Sequence, residues 1–457
     1  MITSRFLPLA LVLGSLTPVH AQYKAIFSFG AYGNPSCPSG EIIAQSPGGN
    51  LVSTNYSSCS DNVIANPPAA YEIGFQGATF TMLQQFTAPF AWPLGGVTLG
   101  TDQRYHGTIN AAGTRNHGAV YRLSPTGAIV YEHDFEGGAD GGYPSAAPIQ
   151  GADGAFYGTT VGASSAYAGT VYKIDTSERY SILHLFTTTD GRAPGPLVQG
   201  TDLNFYGTTS SGGQNGLGTF FRISSTGNFS VLHDFDSTDD GFSVGPLIQA
   251  GDGDFYGATS GNGPTNNNGA VLKMTPSGTV TVFYSFAGGQ DGSQPGGGLV
   301  EATDGNFYGV LTQEGAAGGG TLYRLTPAGV FTKLHDFRVE SGMYPQNTPM
   351  QHTSGKLYGT AVAGGANNYG VIWEYDPGLA PFVTFLNVYG QVGAKVDILG
   401  EYFAAGSVVS FNGVPAQNSV IHSTYIEATV PAGATTGFIT VTTSKGTLKS
   451  NKPFVVH

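Results

Sequence analysis

The chain has 457 residues, long enough for more than one domain, and 40% of them are hydrophobic, which supports a packed core and excludes a disordered protein. Only 11% are charged, 70 are glycine, and helix-favouring runs of Glu, Lys, Ala and Leu are missing, which points away from helix and toward many short strands joined by tight turns. A net charge of −12 on only 18 Lys and Arg, with no basic stripe, excludes nucleic acid and anionic membrane surfaces as partners.

In chain order, the first segment reads as a signal peptide over residues 1–21. Arg5 supplies a short basic region, Phe6 to Leu16 an apolar run, and Val19-His20-Ala21 a small-residue cleavage site. The run is too short to cross a bilayer, so no transmembrane anchor is expected. The location is read as secreted, with a periplasmic or surface-associated protein as the alternative. A strand follows at Tyr23 to Phe29. The only two cysteines, Cys37 and Cys59, read as a disulfide in an exported protein.

A repeat then takes over. The phrase Asp153-Gly154-Ala155-Phe156-Tyr157-Gly158 returns at 202–207, 252–257 and 304–309, with looser copies at 102–107 and 354–359 and a degenerate one at 49–53. The anchors 53, 107, 158, 207, 257, 309 and 359 are spaced by 54, 51, 49, 50, 52 and 50 residues, which suits a unit of four strands plus turns. Each unit carries an inner apolar strand, the Phe-Tyr-Gly-Thr strand, a third strand such as 169–174 and an outer strand such as 181–186. The last unit ends after its third strand, at Tyr375, while the mature N-terminus begins with a spare outer strand. A ring uses that arrangement, because the N-terminal strand completes the last unit and removes exposed edges. The fold expected is all-β: a seven-bladed β-propeller over 22–376, closed by an N-terminal strand.

These units resemble the GloVer-type tandem repeat of secreted bacterial proteins. The resemblance implies a propeller and export, and carries no catalytic residues. After a linker at 377–381 the pattern changes. Gly393 to Gly400, Val409 to Ala416 and Val430 to Gly437 resemble the IPT/TIG immunoglobulin-like domain, which implies a small β-sandwich over 382–457 with an accessory role.

Candidate chemistry is sparse. His133, His233 and His335 precede Asp134, Asp234 and Asp336 in the outer strands. One such pair per unit around a ring reads as structural hydrogen bonding, not as a catalytic dyad. Acidic Asp-Gly loops place Asp234, Asp236, Asp239 and Asp240 close together as a weak calcium site, without the closing bidentate Glu of a full calcium loop. No other cofactor is expected. Long, varied loops on a repeated frame are where binding residues sit. Asn215, Asn262, Asn266, Asn267, Asp190, Asp240 and Asp291 are the candidates there. The function expected is a monomeric, non-catalytic binding or surface-interaction protein for glycan or extracellular protein, acting through its loop-rich face. The alternative is a propeller-type polysaccharide hydrolase or lyase. Two carboxylates converging in the axial funnel would favour the enzyme, and a funnel of Gly, Ser and apolar atoms would favour binding.

Overall fold

The structure, a computed structural model, describes residues 23–30, 38, 43–55, 68–77, 79–86, 93, 95–111, 113–162, 168–236, 242–261 and 267–457. Among the described residues there is no α-helix; residues 23–375 form seven antiparallel sheets and residues 384–456 two more. The protein is all-β and propeller-like.

The third sheet shows how one unit is built. Its strands are Ile149–Gln150, Phe156–Thr160, Thr170–Ile174 and Tyr180–Leu185, hydrogen-bonded in sequence order. All five residues of the second strand are buried, while the outer strand is largely accessible. The second strand is covered on both faces because neighbouring sheets pack against it from either side. The repeated glycine of the Phe-Tyr-Gly-Thr phrase has a packing reason: a Cβ at Gly158 would collide with the Tyr172 ring on the third strand, and one at Gly359 with Trp373. The repeated threonine ties neighbours together. Thr159 Oγ1 donates to the Gly195 carbonyl of the next sheet at 3.0 Å, and Thr208 Oγ1 to that of Val244 at 2.9 Å.

Each sheet packs on the next. Val120 and Phe135 meet Phe156 and Tyr172, Tyr157 meets Phe205 and Phe221, and Tyr206 meets Phe255 and Leu272. Tyr256 meets Phe307 and Tyr323, and Tyr308 meets Leu357 and Trp373. The circuit closes where Tyr358 and Ile372 of the seventh sheet pack on Leu51 and Tyr71 of the first, and Val52 and Ala70 continue to Val97 and Tyr121 of the second. The gap between radial sheets widens outward, so aromatics fill the periphery and small residues the centre. Near the axis Gly95 lies against Ala146 and Ala147, and Gly298 against Pro246.

The N-terminal strand Tyr23–Ser28 pairs antiparallel with Val371–Tyr375. Its register skips one residue between Ala25 and Phe27, as the outer strand of the third sheet skips one between the partners of Val171 and Tyr172. It therefore takes the outer-strand place, bulge included. Tyr23 also stacks on His335 of the sixth sheet at 3.7 Å, as Tyr180 stacks on His133 and Phe229 on His184.

The two C-terminal sheets share a core of Val383, Val396, Ile398, Val409, Phe411, Ile426, Ile439, Val441 and Phe454. Within them, residues 418–429 form a hairpin of Asn418–His422 and Tyr425–Thr429.

Candidate functional site

The sheet circuit has two ends, and they are built differently. At one end lie the tight turns between inner and second strands. In the third sheet Asp153 accepts the Ala155 amide at 3.2 Å, the Tyr157 hydroxyl at 2.7 Å and Lys173 Nζ at 2.8 Å. The fifth sheet repeats this with Asp252, Asp254, Tyr256 and Lys273. Burial pushes Tyr157 and Tyr256 up to about 12. Burial alone would raise Asp153 and Asp252, but the Lys and Tyr bonds hold both below the usual carboxylate range. These groups satisfy one another and leave no free nucleophile. The second sheet substitutes His106, which is buried between Asp102 at 3.2 Å and Glu132 at 3.3 Å and stacked on Phe156. Burial opposes its charge, yet the two carboxylates raise its pKa overall.

A glutamine from the following sheet caps most of these turns. The Thr101 amide donates to Gln150 at 2.9 Å, Ala152 to Gln199 at 2.9 Å, Thr201 to Gln249 at 2.8 Å and Thr303 to Gln351 at 3.0 Å. The series crosses the chain ends, where the Thr353 amide donates to Gln45 at 3.1 Å. Glu301 replaces the glutamine once, accepting from the Gly251 amide at 2.9 Å. It is the one carboxylate on the inner strands among the described residues.

The C-terminal sheets cover this end. Thr424 Oγ1 donates to the Pro47 carbonyl at 2.7 Å, Gln103 Nε2 to the Tyr425 hydroxyl at 2.8 Å, and Tyr389 to the Gly200 carbonyl at 3.0 Å. Thr353 Oγ1 donates to buried Glu401 at 2.7 Å, and Leu399 and Tyr425 join the core of the first two sheets. The contacts thus reach tight turns of the first, second, fourth and seventh sheets. Burial raises the pKa of Glu401. Next to it, His352 Nε2 donates to the Gly49 carbonyl at 2.9 Å while Nδ1 accepts the Ser354 amide at 3.1 Å. Burial first, and then Lys356, push this histidine down to about 4.

The opposite end carries the long loops. Here the His-Asp pairs separate: His133 bonds Asp140 at 3.0 Å and His184 bonds Asp190 at 3.1 Å, across the loop that leaves their strand. Asp134 instead accepts the Thr114 amide at 2.8 Å, Asp234 that of Gln214 at 2.7 Å, and Asp336 that of Ala316 at 2.8 Å. Successive strand residues face opposite ways, so one clips the outgoing loop and the next pins the loop before the third strand.

Among the candidate binding residues, the Asp190 and Asn215 side chains hold neighbouring backbone, and Asp291 is contacted at its main chain. Asp190 also accepts the Thr187 amide at 2.7 Å, Asn215 donates to the Phe235 carbonyl at 3.2 Å, and the Asp291 carbonyl accepts Thr321 Oγ1 at 2.8 Å. Asn267 is exposed, with φ 58°. Asn262, Asn266, Asp239, Asp240, Cys37, Cys59 and the segment 1–21 lie outside the described residues. Among the described residues no three His, Cys, Asp or Glu side chains converge to hold a metal, and the Asp234 carboxylate of the calcium candidate already holds its loop.

The position sequence reasoning missed is the residue before the first proline of the inner strand. Tyr143, Ala193, Gln294 and Tyr344 have φ of 57°, 52°, 58° and 58°, a region L side chains rarely adopt. Each amide donates to a carbonyl of the preceding sheet: Tyr143 to His117 at 2.7 Å, and Ala193 to Ala168, Gln294 to Asn268 and Tyr344 to Gly319 at 2.8 Å. A signal existed in the sequence, since four X-Pro pairs recur at one place in the period.

The Gloeobacter/Verrucomicrobia repeat family matches residues 93–315 and 288–398. Among solved structures the chain is similar to the oligogalacturonate lyase of Vibrio parahaemolyticus (TM-score 0.50, 12% identity, covering 78% of this chain and 97% of that one). It is also similar to PorZ, a surface component of the type-IX secretion system of Porphyromonas gingivalis (0.49, 14%, 94% and 61%), and to TolB of Acinetobacter baumannii (0.38, 15%, 58% and 58%). The chain thus spans less than two thirds of PorZ and TolB. The likeness to the lyase shows the fold alone. No curated protein matches the sequence. No helix among the described residues is long and apolar enough to cross a membrane.

Proposed function

The chain belongs to the Gloeobacter/Verrucomicrobia repeat family, and from that premise we propose that it is a secreted, non-catalytic binding protein. In this reading a seven-bladed β-propeller over 22–376 presents its loop face to glycan or extracellular matrix. An immunoglobulin-like sandwich of the IPT/TIG kind over 382–457 docks on the opposite face. The observation that carries the reading is the asymmetry of the two ends: the tight-turn end is occupied by contacts such as Tyr389 to Gly200 and Thr424 to Pro47. That leaves the loop face as the end without a docked module, and varied loops on a rigid frame are the usual place for recognition. The proposed Cys37–Cys59 disulfide belongs to the same face. Pro38 bridges to Asn55, which brings the residue after Cys37 beside the strand leading to Cys59; two reactive thiols in the unreduced, denatured protein would remove it.

The test is a glycan array run together with a polysaccharide-degradation screen on the secreted protein. Retention without product release is expected. Release of oligosaccharide would replace this reading with a hydrolase or lyase.

A further inference from the structure

The strained residues before the inner prolines lie at the loop-face end of the innermost strands, where neighbouring backbones touch: a Cβ on Gly296, two residues after Gln294, would meet the carbonyl of Pro345. A positive φ is relieved by glycine, yet none of the four positions is glycine. The backbone conformation is held by the amide-to-carbonyl bond to the preceding sheet, which needs no side chain at all. What the position retains is therefore the side chain itself, and it differs from sheet to sheet.

The bond also sets each residue beside one from the neighbouring loop: Tyr143 with His117, Ala193 with Ala168, Gln294 with Asn268, and Tyr344 with Gly319. Tyr143 and His117 are in edge contact, with ring centroids 5.4 Å apart. His117 Nδ1 is buried there, so this imidazole backs the Tyr143 ring and does not present that nitrogen to solvent. Tyr344 is 38% exposed. The set holds no carboxylate, Lys or Arg, and the one cation on the described inner strands is Arg192 beside Ala193. Aromatic faces and amides are the chemistry that receives pyranose rings and their hydroxyls.

We propose that Tyr143, His117, Asn268, Gln294 and Tyr344 form the rim of a binding site for a neutral polysaccharide at the axial mouth of the loop face. The inference rests on the loop-face reading above and narrows it to one place and one class of ligand. The tyrosine faces stack on sugar rings, and the Gln294 and Asn268 amides bond the hydroxyls. The small Ala168–Ala193 pair leaves room for the chain to pass.

The experiment measures binding of the secreted protein to laminarin, xyloglucan and dextran, with polygalacturonate and alginate as acidic probes, by titration calorimetry. Tyr143→Gly and Tyr344→Gly remove the side chain and the strain together. Binding to at least one neutral polysaccharide is expected, falling about tenfold or more in each variant, with the melting temperature unchanged or raised and with rescue by Tyr344→Phe. Binding to the acidic probes alone would overturn the proposal, as would glycine variants that bind like the parent. Exchanging loops 210–216 and 261–267, which leaves Asn268 in place, separates the two readings. If the exchange abolishes binding and the glycine variants do not, the loop face stands and the mouth falls; if neither matters, or no probe binds, both fall.

Discussion

On the tight-turn face the same side chains recur, Asp153 with Tyr157 and Lys173 in the third sheet, Asp252 with Tyr256 and Lys273 in the fifth. At the other end of the same sheets one backbone position holds Tyr143, Ala193, Gln294 and Tyr344 in turn. The recurring groups bond each other, so their identity is dictated by the fold and any change orphans a partner. The varying groups sit on a backbone that is costly for every one of them and are not needed to hold it. Repetition here marks structure, and variation at a strained site marks selectivity.

The comparison is tested most severely by removing the closing strand. Deleting residues 22–30 strips Val371–Tyr375 of its partner and removes buried Phe29 and Ile26. A stability loss on the order of 5 kcal/mol or more is expected, measured by urea unfolding. A truncated protein as stable as the parent would mean that the circuit does not depend on its N-terminal strand.

Within the repeated scaffold, Gly158→Val should cost about 3 kcal/mol, because the new side chain enters the space of Tyr172. Gly253→Ala, at a turn with φ +89° and nothing within 4 Å, should cost only about 1 kcal/mol. Thermal melts that rank the two the other way would show that the repeated glycine serves the backbone and not the aromatic above it.

The covered face should also be acid-sensitive. His352 has its pKa depressed to about 4 in the folded protein, against about 6.5 when unfolded. Its contribution is therefore present above pH 6.5 and lost as pH falls through the folded value, up to about 3 kcal/mol. Glu401, raised by burial, acts in the opposite sense: its contribution is present at low pH and lost as pH rises through its folded pKa. Unfolding of the parent and of His352→Gln between pH 7 and about 4 isolates the histidine, and the variant should show the shallower decline.

The smallest effect is expected at the varied position. Ala193→Gly trades the strain at φ 52° against chain entropy, so stability should change by no more than about 0.5 kcal/mol. A large loss in the urea midpoint would show that this residue is part of the scaffold after all.

Much of the fold was legible because its signals are local. The Asp-Gly turns, the Phe-Tyr-Gly-Thr strand and the 50-residue spacing are written within each unit, and Tyr23 to Phe29 could be recognised as a spare outer strand by matching 281–286. The site was far less legible. His133 and Asp134 look like a pair in sequence, but alternation along a strand sends them to different loops, to Asp140 and to Thr114. Asp190 and Asn215, read from sequence as binding groups, also hold His184 and the Phe235 carbonyl, contacts that no local pattern announces.

What the sequence by itself determined was the unit: its short strands, its tight turns and the spacing at which they return. Only the tertiary structure decided which residues meet across units. Gln45 caps Thr353 across 308 residues, Tyr23 stacks on His335, and the C-terminal sheets settle on turns from four different sheets. The physical reason is ring closure. Packing each sheet on its neighbour brings together side chains with no periodic relation in sequence, and it aligns the residues before the inner prolines around one axis that no single repeat contains.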